Sequence, residues 1–258
     1  MAKIKPKLIQ NVFEARYERG YRYLDRCGDV MVISEDALPS ISNNNVWMPE
    51  EMQPKGARMK CPELDLILLF DTYRLCLDQN PADVECPFTK IAKYAYDTVI
   101  SKFDIRKTTR LGNRKLYIIP TDSIEKAEAF SVQKAPLGNW PVLITDDMKS
   151  RICEVTNVLE NEERSRGVRF SIMPTFKVEA PLTIDKRLTI PPHLLETGQR
   201  EALISQLKRQ KQREKEPLAG LLIDIDYWWL NPEETNIEQF LENSEAKIEE
   251  LLKSFLEK

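Results

Sequence analysis

A single histidine, His193, stands in the 258 residues of this chain. Proton relay at neutral pH ordinarily runs through an imidazole, so a Ser–His or Cys–His mechanism would have to pass through this one side chain. It lies in TIPPHLLE beside two prolines, and no GxSxG turn precedes a helix here. Its expected role is structural. Glycine is also scarce: all eight are isolated, which leaves no cluster to cradle a phosphate and no dinucleotide-binding fingerprint. The five cysteines, Cys27, Cys61, Cys76, Cys86 and Cys153, are odd in number, scattered and without CxxC spacing. They read as reduced thiols rather than a disulfide framework or a zinc site.

Long apolar runs are missing too. The most apolar stretch, Leu218 to Leu230, is interrupted by Asp224 and Asp226 and is too short to span a bilayer. The opening MAKIKPKLIQNVFEARYERG lacks the apolar core of an export signal. The expectation is a cytoplasmic protein with no membrane partner and no cofactor. Formal net charge is only -3, so any attraction to nucleic acid must come from a local patch.

What is present is the balance of an ordinary globular protein, 42% hydrophobic and 31% charged, at a length suited to one large or two small domains. Leu8 to Tyr17 and Tyr21 to Arg26 bracket a short turn and predict an antiparallel hairpin. A short helix is expected over Gly28 to Leu38, then a surface loop from Pro39 to Gly56 with its Ser, Asn and Pro residues. Strands are expected at Ala57 to Cys61 and at Leu64 to Leu77, the latter folding back near Asp71 and Thr72. Between Phe88 and Phe103 the period changes: Ile91, Ala92, Ala95, Val99, Ile100 and Phe103 form one helical stripe. Lys107 to Pro120 returns to strand character.

The second half repeats the plan, with strands near Ile152 to Glu160, Gly167 to Met173 and Leu218 to Trp229, a helix from Gln199 to Lys215 and a closing helix. Asn231-Pro232-Glu233-Glu234 is the expected N-terminal cap of that last helix, and Ile237, Phe240, Leu241, Ile248, Leu251, Leu252 and Phe255 its buried stripe. The predicted class is α+β in two lobes, each a mainly antiparallel sheet packed by an amphipathic helix: residues 1–120, a connection over 121–141, and residues 142–258. Identity between the halves does not establish a duplication.

The opening strand LIQNVFEARYE, the unit ending TTRLGNRKLYIIP and the terminal GLLIDIDYWW followed by a long helix together resemble a sporadically distributed family of uncharacterised bacterial proteins of about this length. The resemblance implies a two-lobed α/β plan and brings no established chemistry. The family's patchy distribution implies an accessory role in a bacterial multi-protein system such as an antiviral defence locus.

Several groups are candidates for chemistry. Asp224 and Asp226, two apart on a strand, share one face and can present their carboxylates to a divalent cation, as nucleotidyl-transfer enzymes require. The same spacing serves equally a solvated face, or one paired with Arg and Lys from a neighbouring strand. Arg106, Lys107, Arg110, Arg114 and Lys115 form a run of five bases with no acid. They suit phosphate oxygens, or they partner the acidic strand. From Arg200 to Glu216 six bases face three acids, with Lys208, Arg209, Lys211 and Arg213 at the basic end, a nucleic-acid or acidic-protein contact or a solvated helix end. Trp47, Trp140, Trp228 and Trp229, with Tyr21, Tyr23 and Tyr227, form a candidate recognition surface. Trp228 points outward if Trp229 points in, which makes it an interface anchor or a residue covered by another element. The leading expectation is a non-enzymatic interaction or accessory component with a protein partner. The alternatives are a metal-dependent nucleotide or phosphodiester enzyme using Asp224 and Asp226, and a nucleic-acid-binding protein using the basic patches.

Overall fold

The computed structural model describes residues 5–134, 154–176, 184–213, 219–232 and 236–257. Their order is β1 (Lys7–Tyr17), α1 (Tyr23–Ile41), β2 (Met48–Gln53), β3 (Gly56–Cys61), β4 (Leu66–Phe70), β5 (Arg74–Gln79), α2 (Phe88–Lys102), β6 (Thr108–Thr121), α3 (Ile124–Lys134), β7 (Val155–Glu160), β8 (Arg166–Phe176), two short 3-10 turns (Lys186–Thr189 and Pro192–Leu194), α4 (Gln199–Arg213), β9 (Ala219–Leu230) and α5 (Ile237–Glu257). Helices and strands lie on one large antiparallel sheet, so the class is α+β.

The strands of both halves join in a single sheet of nine, in the order β2-β3-β4-β5-β1-β6-β9-β8-β7. The two expected sheets merge because β6, the longest strand, pairs along one side with β1 and along the other with β9. Neither side of it is left as an edge.

Strand alternation turns one side of this sheet toward a helical layer. Phe13, Leu75, Phe70 and Leu111 meet Tyr23 and Leu38 of α1, Ile91 and Val99 of α2, and Phe240 of α5 in one apolar core. A second core joins Tyr117, Ile119, Ile172, Leu221, Ile223 and Ile225 to Ile248 of α5. The stripe of α5 thus contributes to both, Phe240 and Leu241 to the first and Ile248 to the second. Asn236 caps α5: its Oδ1 accepts from the Gln239 N–H at 3.1 Å. The cap expected at Asn231 is displaced, since Asn231 directly follows β9 at φ +45° with its N–H donating to the Thr109 carbonyl, while residues 233–235 lie outside the described residues.

Three local expectations are corrected. Tyr21 to Arg26 does not return as a hairpin strand. The chain enters α1 at Tyr23, whose ring packs edge-on against Phe103 at 5.5 Å and whose hydroxyl donates to the Gln53 carbonyl at 2.6 Å. Core burial of the ring, rather than strand pairing, accounts for the aromatic there. Pro39 to Gly56 is not all loop: α1 runs to Ile41, and Met48–Gln53 is an edge strand. Pro49 is tolerated because an edge strand needs ladder bonds on one side only. Within the expected connection, Ile124–Lys134 is helical; 135–153 lies outside the described residues.

Candidate functional site

β9 lies between β6 and β8, and its even-numbered residues point away from the helices. Leu221, Ile223, Ile225 and Trp229 are buried in the core. Asp224 and Asp226 therefore share the opposite face with Trp228, as the alternation requires.

Guanidinium groups occupy these carboxylates. Asp224 accepts from Arg114 Nε at 2.8 Å and Nη2 at 2.7 Å, a two-pronged pairing, and from Arg169 Nη2 of β8 at 3.1 Å. Asp226 accepts from Arg110 Nη2 at 3.3 and 3.2 Å. Arg110 also donates through Nη1 to Glu14 at 3.0 Å, and Glu14 accepts from Arg16 Nε at 2.8 Å. The result is two adjoining sets of ion pairs, Glu14–Arg110–Asp226 across β1, β6 and β9 and Arg114–Asp224–Arg169 across β6, β9 and β8. Burial pushes the Asp226 carboxyl up, and Arg110, Arg169 and Arg114 pull it back only in part. The hydrogen bond to Asp224 raises Arg114.

Two glycines make room for this surface. A side chain at Gly112 would meet the Arg110 guanidinium at 2.5 Å, so its absence lets Arg110 lie across β6 between Glu14 and Asp226. Gly167 stands opposite Trp228, and a Cβ there would meet the indole at 2.4 Å. Trp228 is half-buried as the cover of this glycine on the neighbouring strand.

For a divalent cation the two acids would have to converge with a third donor and release their arginines. Among the described residues no group of three or more His, Cys, Asp or Glu side chains is placed to hold a metal.

The basic run does not form one surface, because alternate strand residues face opposite ways. Arg110 and Arg114 look to the acid face. Lys115 is buried on the helix side and pairs with Glu245 of α5, and next to it Asn113 Nδ2 donates to Ser244 Oγ at 2.8 Å and to Glu245 Oε1 at 3.1 Å. Arg106 and Lys107 are exposed ahead of β6.

α4 divides its bases in the same way. Arg209 and Arg213 turn inward to Asp65, at 3.3 and 2.8 Å, and Arg213 reaches Asp83 at 2.6 Å; Gln206 adds a bond to Asp65 at 3.0 Å. Lys208 and Lys211 are exposed. Just before α4, Asp185 is held by Lys60 and Arg187.

His193 is exposed on a single 3-10 turn. The Cys61 and Cys76 thiols are pushed up to about 12 and Cys86 to about 11, chiefly by burial. Thiolate nucleophiles are thus disfavoured at these three positions at neutral pH. Cys153 and Trp140 lie outside the described residues.

Sequence patterning does not show which strands end the sheet. β7 is one of them: five of its six residues are exposed, Val158 and Leu159 at 52% and 57%. Beside it a shallow groove is lined by Leu159, Val168, Tyr227 and Ala246 together with charges of both signs, Arg166 and Lys247 with Glu160 and Glu250. The other edge, β2, carries Pro49, Glu50 and Glu51 and a register irregularity between Pro49 and Glu51. Comparison with known proteins adds nothing to this geometry: no family model and no curated protein matches the chain.

Proposed function

We propose that this chain is a non-enzymatic interaction component of a multi-protein assembly, and that it binds a protein partner by strand addition at β7. The observation that carries the reading is the contrast between the two sheet edges. An edge strand offers a row of backbone N–H and C=O groups, and proteins commonly blunt it with charge, proline or bulges. β2 has all three devices. β7, with the sequence VTNVLE, has no proline and no charge before Glu160, and no strand among the described residues pairs with its outer side. Backbone bonds along β7 would supply affinity, while the Leu159 groove would select side chains.

The charged groups support the same reading from the other direction. Arg110, Arg114, Arg169, Arg209 and Arg213 are committed to acids of this chain. In the two basic runs the exposed remainder is Arg106 with Lys107 and Lys208 with Lys211, and each of these pairs alone is a small set against the many phosphate neutralisations that drive nucleic-acid affinity.

The test is affinity capture from native lysate with wild type and with Val158→Lys, a charge placed on an already exposed edge position. A stoichiometric partner recovered with wild type and lost with the variant is expected. A partner held equally by both, or none at all, overturns the reading.

A further inference from the structure

A second surface, distinct from β7 and independent of that reading, lies where α1 runs beside edge strand β2. Gly28, Val32 and Glu35 of α1 face Glu50, Glu51 and Met52 across a groove of about 350 Å³. Val32 and Met52 are 59% and 61% exposed, and Leu24, one turn before Gly28 on the same stripe, is 64% exposed. An apolar line at i, i+4 and i+8 thus stays uncovered by the described residues.

Gly28 marks the floor. Glycine inside a helix costs about 1 kcal/mol relative to alanine, and here nothing in the fold asks for it: a Cβ built at Gly28 meets no atom within 4 Å, and its φ is not positive. The space above it is open.

The rim carries one sign of charge. The groove lining holds three glutamates and no Lys or Arg. Glu50 turns to Arg58, Lys60 and Arg187, so the acids free to meet a ligand are Glu35 and Glu51, which no ion pair among the described residues engages. Burial, then the nearby Glu196 and Asp36, raises the Glu35 carboxyl above its ordinary range, so acids crowd this end of the groove.

We infer that the α1–β2 groove docks a basic amphipathic helix, whose apolar side chains lie along Leu24, Gly28 and Val32 and whose Lys or Arg residues meet Glu35 and Glu51. A helix fits and a strand does not, because Pro49 and the irregularity beside it spoil β2 as a pairing edge. Apolar anchors at i, i+4 and i+7 are the usual form of such an occupant, and the open space over Gly28 lets its backbone come close.

The probe is a fluorescein-labelled helical peptide of leucine and lysine patterned on one face, titrated into the full chain by anisotropy. Its controls are a scrambled peptide of the same composition and one with glutamate in place of lysine. Binding is expected for the patterned basic peptide alone. It should weaken about ten-fold or more, equivalent to about 1.4 kcal/mol, in Gly28→Leu, which fills the open space without changing charge, and in the Glu35→Gln, Glu51→Gln pair. Gly28→Ala, with better helix propensity, checks that the fold is kept. Val158→Lys should bind the peptide like wild type, which separates this site from β7. Equal binding to Gly28→Leu, equal binding of the scrambled peptide, or no binding of the patterned one overturns the inference.

Discussion

At the scale of single residues, each acid on the outer face of β9 is held by arginines of the neighbouring strands. Asp224 is 12% exposed and holds two arginines that are themselves 42% and 39% exposed. Breaking a fully buried pair costs about 3–5 kcal/mol, and the solvent reaching Arg114 and Arg169 reduces that. Asp224→Ala is therefore expected to lower stability by roughly 2 kcal/mol, measured by urea unfolding. Gly112→Val acts on the neighbouring set of ion pairs, displacing Arg110 from both Glu14 and Asp226, with an expected loss of about 1–2 kcal/mol. Titration calorimetry with Mg²⁺ or Mn²⁺ should give the same trace for wild type and Asp226→Asn. A stoichiometric binding heat lost in the variant would restore the metal reading.

At the scale of elements, α5 and α4 are attached by different physics. Phe240 of α5 packs against Phe13, Tyr227 and Trp229 with ring centroids 6.4, 5.9 and 5.4 Å away, so Phe240→Ala should cost about 3–5 kcal/mol in thermal or urea unfolding. α4 buries only Ala202 and Leu203 and leans on Asp65 through Gln206, Arg209 and Arg213. Asp65→Ala should speed amide exchange in α4 while β1 and β6 stay protected; a uniform loss of protection would mean that α4 is integral to the core. Periodicity made α2, β6, β9 and the stripe of α5 legible in the sequence, because burial on one face writes a repeat. The aromatic at Tyr23 reads as strand because a buried ring looks alike in either element. The pairing of Arg110 and Arg114 with the acids of β9 was among the readings the sequence left open. Which strand would be an edge, and so where binding surface would lie, depends on sheet order, which no local pattern encodes.

At the scale of the whole molecule, acid groups with opposite shifts oppose one another. Burial raises the Asp226, Asp78, Glu63 and Glu35 carboxyls, so protonating them favours the folded chain and stability is gained as pH falls through their folded values. Asp185 runs the other way. Burial opposes its charge, but hydrogen bonds from Arg187 and Lys60 hold it well below its ordinary 3.8, so its contribution is present above that value and is lost on further acidification. Urea midpoints should hold or rise from neutral pH toward the carboxylate range and fall only below it. A steady fall from neutrality would show that the raised groups do not dominate. No helix among the described residues is long and apolar enough to cross a membrane, and the recognition surfaces argued for among those residues are the β7 edge and the α1–β2 groove. The most direct test of strand addition is hydrogen exchange of the full chain, alone and saturated with its captured partner. Val155–Glu160 amides are predicted to slow by about ten-fold or more while those of Met48–Gln53 stay as they are; exchange along β7 that is the same with and without the partner would contradict the account.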